Sequence, residues 1–118
     1  MIHGKRFRNL VRDFTVYAVD GEVFQPTEND TLRVIIGRGG RLTEIIDSAE
    51  LVVTSEEPTA NGSSFEINTP ELGVNRLSLV EDDLSFDAGS YTLLIELKES
   101  ELDVWRTLSR RVFVLEEA

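Results

Sequence analysis

The chain has 118 residues, 41% apolar and 29% charged, which is enough for one domain with a core and too apolar for general disorder. It has no cysteine, so disulfide staples, thiolate metal sites and cysteine nucleophiles are excluded, and its formal net charge of −10 sets up a field that repels nucleic acid and anionic lipid. All 22 acids fall within residues 13–118, whereas residues 1–12 contain Lys5, Arg6, Arg8 and Arg12 and no acid.

In chain order, residues 1–12 read as a basic N-terminal arm and residues 13–118 as the domain. Their opening lacks the apolar stretch of a signal peptide, and no run approaches the roughly 18 apolar residues of a membrane span. The expectation is a chain made and folded in the cytoplasm. Phe7, Leu10 and Val11 interleave with the four charges of the arm, a pattern suited to docking on an acidic neighbour. Exposed ion pairs contribute only about 0 to 1 kcal/mol each, less than the entropy lost on ordering a dozen residues. The arm is therefore expected to order only against a groove on another subunit.

Phe14, Val16 and Ala18 alternate with Thr15 and Tyr17 up to the turn pair Asp20-Gly21, which predicts a strand and a hairpin. Residues 22–25 form a second short strand closed by Pro26. Residues 32–36 predict a strong strand ending at Gly37, followed by the glycine-rich Arg38-Gly39-Gly40-Arg41. Leu42, Ile45, Ile46 and Ala49 have helical spacing and predict one or two helical turns. Residues 51–53 are a strand, and residues 56–64, with Pro58, Asn61 and Gly62, are a surface loop. Residues 64–68 alternate, with Phe65 and Ile67 on one face, and Leu77 and Leu79 do the same. In residues 91–97, Tyr91, Leu93, Ile95 and Leu97 point one way, and Leu94 is one exposed leucine on the other face. Residues 112–115 are apolar on both faces. Seven or more short strands without a long helical period predict an all-β sandwich or small barrel.

Few constellations carry chemistry. The single histidine, His3, lies in the arm, so the common histidine and cysteine nucleophile arrangements cannot form, and no catalytic, cofactor or metal residue is assigned. The acids Glu81, Asp82, Asp83 and Asp87 supply oxygen ligands for calcium but match no EF-hand spacing, and a solvated acidic face is the simpler account. The run Gly37-Arg38-Gly39-Gly40 contains the Gly-x-x-Gly loop with which KH RNA-binding domains, which it resembles locally, clamp a nucleic-acid backbone. Thr43 occupies the slot where that family has an apolar residue, and the net charge opposes RNA. A glycine turn between strands is the preferred account. Trp105 and Arg106 are candidate interface anchors, since tryptophan and arginine dominate binding hot spots; the alternative is that Trp105 caps the core.

The most specific run is Asp87-Ala88-Gly89-Ser90-Tyr91-Thr92-Leu93. It resembles the turn into strand F of immunoglobulin-like domains, where Asp-x-Gly-x-Tyr builds the tyrosine corner. The resemblance implies that Asp87, Gly89 and Tyr91 form that corner and that Leu93 stands where the family has its second cysteine. The missing cysteine pair and early-strand tryptophan argue against an antibody-type or extracellular receptor domain. The order of segments, with Asp-Thr-Leu-Arg-Val early, the Tyr91 strand late and Trp105 before a terminal Arg-Val-Phe-Val-Leu strand, is similar to the small cysteine-free immunoglobulin-like domains of tailed-phage baseplate, tail-fibre and capsid-decoration proteins. That resemblance implies a non-enzymatic virion protein, present in many copies and attached to capsid or tail subunits. Its expected interface comprises Lys5, Arg6, Phe7, Arg8, Leu10, Val11, Arg12, Trp105 and Arg106, with no membrane or nucleic-acid partner. The rival expectations are a bacterial cytoplasmic interaction module of the same fold and an RNA-binding protein using residues 37–40.

Overall fold

In the computed structural model, the described residues are 1–15, 30–39, 46–69, 74–99 and 104–118. They form eight strands: β1 (Ile2–Lys5), β2 (Leu10–Thr15), β3 (Thr31–Gly39), β4 (Ile46–Thr54), β5 (Ser64–Thr69), β6 (Val74–Leu79), β7 (Gly89–Lys98) and β8 (Trp105–Glu116). One 3-10 turn, Glu81–Leu84, is the only helical element among these residues. The fold is all-β. The expected strand continuation over residues 16–18, the Asp20-Gly21 turn, the strand at 22–25 and the segment 40–45 lie outside the described residues.

The strands form two sheets, one of five in the order β1-β8-β7-β3-β4 and one of three in the order β2-β6-β5. Every described pairing is antiparallel except that of β1 with β8, which runs parallel with Ile2 opposite Phe113 and Lys5 opposite Glu116. Period-2 alternation decides the faces. On β7, Tyr91, Leu93, Ile95 and Leu97 turn inward, and β3 sets Val34 opposite Ile95 and Leu32 opposite Leu97. Phe14, Phe65, Leu77 and Leu79 of the smaller sheet meet them in a single cluster completed by Leu84, Phe113 and Leu115. Burying each such side chain contributes about 1.5 to 3 kcal/mol, which makes this cluster the main source of stability in a chain without disulfides.

Three expectations are corrected. Residues 46–49 are strand, not helix. Register shifts opposite Ile36/Gly37 and Arg38/Gly39 leave Glu50 and Asp47 of β4 as extra residues, and two bulges so close together break the period-2 alternation by which a strand is read. Leu94 is not exposed. It lies on the outer face, outside the core cluster, yet retains only 2% exposure, because β7 is the central strand and Ile35 and Arg110 stand directly opposite it on its two neighbours. Finally, residues 1–12 are not a free arm. Ile2 is buried, Arg6 N–H donates to the Glu116 carbonyl at 2.8 Å, and residues 10–12 already belong to β2. Gly4 sits so close beneath Phe113 that a Cβ there would meet its ring at 3.1 Å. Apolar or small residues at 2, 4 and 10 supply inward anchors that the charges between them conceal.

Candidate protein-binding surface

The N-terminal residues expected to act together are divided by the fold. Leu10 turns inward against the core. Arg6 is half-buried and committed, its guanidinium donating to Glu117 Oε1 at 2.9 Å and to the Ser85 carbonyl at 3.0 Å. Lys5, Phe7, Arg8, Val11 and Arg12 remain exposed. Phe7 has a positive φ of 57°, uncommon for a residue with a side chain, and its N–H is held by the Leu84 carbonyl at 3.0 Å while its ring stays 52% exposed. His3, Lys5, Arg8 and Leu10 border a shallow depression of about 260 Å³, in which His3 Nδ1 lies 3.0 Å from Glu116.

Trp105 opens β8 opposite Lys98, on the outer face of the five-stranded sheet and outside the core cluster. The Arg33 guanidinium stacks on its ring at 3.9 Å while Arg33 Nε donates to Glu96 Oε1 at 2.7 Å, so the tryptophan covers an ion pair instead of capping the core. Neighbouring Arg106 reaches Glu99 at 2.8 Å. Further along β8, Arg110 and Arg111 are exposed on opposite faces, and Arg111 lies 5.5 Å from the centre of the Phe14 ring. Phe14 and Arg12 share one side of β2, so Arg12 and Arg111 border the same flank, where the margins of the two sheets meet. Arg110 was missed at the sequence level, and Arg111 was seen only as part of a strand. The doublet at 110–111, directly before the apolar run of residues 112–115, was the available signal.

The corner residues converge. The Tyr91 hydroxyl donates to the Asp87 carbonyl and accepts from Arg38 Nη2 at 3.2 Å, and the Phe86 ring meets the tyrosine edge-on at 5.0 Å. Gly89 between them has φ +155°, and a Cβ there would lie 3.1 Å from the Arg38 guanidinium. Asp87 contributes its main chain, not its carboxylate. Gly37 and Gly39 are paired strand residues, and the helix that a phosphate clamp requires behind its loop is replaced over residues 46–49 by β4.

The acidic loop is a bracket. Asp83 accepts from Thr59 Oγ1 at 2.6 Å and Asn61 Nδ2 at 2.9 Å, tying the 55–63 loop to the 3-10 turn. Burial raises the Asp83 pKa, but hydrogen bonds from Ser63, Thr59 and Asn61 together outweigh it and hold the carboxyl below its ordinary range. Among the described residues, no three of histidine, cysteine, aspartate and glutamate are gathered as a metal site.

The outer faces of the two sheets differ. The smaller sheet carries a polar ladder, with Arg76 donating twice to Asp13, at 2.9 and 3.2 Å. The larger sheet instead presents Val52, Ile35, Val112 and the Trp105–Arg33 stack. Such a surface can bind a partner through apolar contact and guanidinium hydrogen bonds. No protein-family model matches the chain, and no curated protein matches it.

Proposed function

We propose that the chain is a non-enzymatic, immunoglobulin-like binding module of a tailed-phage particle, present in many copies and attached to capsid or tail subunits. The observation that carries the fold assignment is strand order. In immunoglobulin-like sandwiches one sheet contains strands B, E and D and the other G, F, C and C′. The orders β2-β6-β5 and β8-β7-β3-β4 follow the same sequence of strands, with β1 added in parallel beyond β8. The tyrosine on the strand equivalent to F, hydrogen-bonded to main chain four residues upstream, supports the same reading.

The placement of the side chains supports a binding role. Arginine and tryptophan are arrayed on the larger sheet and its margin, and among the described residues the titratable groups with perturbed pKa values, Asp13, Arg76 and Asp83, serve an ion pair and a loop bracket. The phage assignment rests on the resemblance in segment order and on the absence of cysteine. Mass spectrometry of purified particles tests it: the reading requires the chain among the virion proteins.

A further inference from the structure

We propose that the margin of β8 over residues 106–112, together with Arg12, takes up an acidic extended segment of a partner protein by strand addition. This deepens the binding role proposed above and rests on it. On its far side from β7, β8 is covered by β1 only along Phe113–Glu116. Among the described residues no strand pairs with the rest of that side. A strand margin of this kind offers a row of main-chain donors and acceptors, which is what strand addition uses.

The side chains beside this margin specify the occupant. Arg110 stands on the outer face opposite Leu94, Arg111 hangs over Phe14 on the inner side, and Arg12 lies two residues from Phe14 on β2. All three are exposed, and Arg12 and Arg110 have no carboxylate partner among the described residues. In a chain of net charge −10, a group of arginines gathered on one margin is complementary to acid. An incoming strand alternates its side chains, so carboxylates on its inner side meet Arg111 and Arg12 and those on its outer side meet Arg110. Exposed Val112 adds an apolar contact on the outer face. A second copy is the poorer occupant, because it would bring two arginine groups to one margin and join two chains that each carry a net charge of −10. Nucleic acid is disfavoured by the field of the whole chain.

The test is titration of the full chain with a short capped peptide of alternating glutamate pairs and valine pairs, which as a strand carries carboxylates on both faces, read by amide hydrogen exchange and by affinity. In the free protein, amides within residues 106–112 that point away from β7 should exchange faster than those of residues 113–116. The peptide should slow them, with an affinity that falls as salt rises. Arg111→Glu, Arg110→Glu and Arg12→Glu, all at exposed positions, should each weaken binding by about tenfold or more while leaving the melting temperature in place. Charges on a margin can also serve only to block self-association, and that role predicts no uptake of the peptide. Absence of uptake, protection of these amides already in the free chain, unchanged affinity in the variants, or tighter binding of a polyuridylate or duplex DNA oligonucleotide would each overturn the proposal. A chain found in particles but inert to the peptide loses this margin and keeps the virion role. A chain absent from particles that takes up the peptide does the reverse.

Discussion

The Tyr91 hydroxyl gives to the Asp87 carbonyl and receives from Arg38, with its ring only 4% exposed. Tyr91→Phe keeps the ring and its edge contact with Phe86 but leaves that carbonyl without its donor. The expected loss is about 1 kcal/mol or more, read as a lower urea midpoint at unchanged slope. Asp83 makes a second residue-level case. Its carboxyl is held below the ordinary aspartate range in the folded chain, so the folded state favours the ionised form. Its contribution is therefore present above the unfolded pKa and is lost as pH falls through the folded one. Stability should decline on acidification below about pH 4. Asp83→Asn should be less stable than the parent at neutral pH and show a shallower acid decline, measured by chemical denaturation across pH. An identical acid decline would show that the bracket is not coupled to folding.

At the scale of elements, β1 changes the account of the N-terminus. Removing residues 1–12 takes away the buried Ile2, the parallel pairing with β8 and half of β2. The truncated chain should fail to fold or melt far below the full chain. Ile2→Ala should cost about 2 to 5 kcal/mol in denaturant unfolding. A truncation that melts like the full chain would restore the free arm. Here the charges dominated the sequence pattern, because four bases in eight positions masked a short inward alternation at Ile2 and Gly4. β7 was legible because its alternation runs unbroken from Tyr91 to Leu97 within a central strand. The first part of β4, residues 46–50, was not, since two bulges break the period on which the reading depends. The corner was legible because its geometry needs glycine and tyrosine at set spacings. The Arg12–Arg111 flank was not, since its members are distant in sequence and lie on different sheets, brought to one side only by the approach of Arg111 to Phe14.

At the scale of the whole molecule, one outer sheet face is a polar ladder and the other carries apolar residues, a stacked tryptophan and a bordering group of arginines. This asymmetry suits a subunit with one side toward solvent and one toward its neighbours. In the proposed role, the strong negative charge keeps free copies apart and the arginine flank receives an acidic partner. Quantitative mass spectrometry of purified phage particles tests the central claim most directly. The account predicts that the chain is present in many copies per particle, at a constant ratio to a capsid or tail protein through successive purification steps. Absence from the particles, or a ratio that falls toward zero with each step, would contradict it.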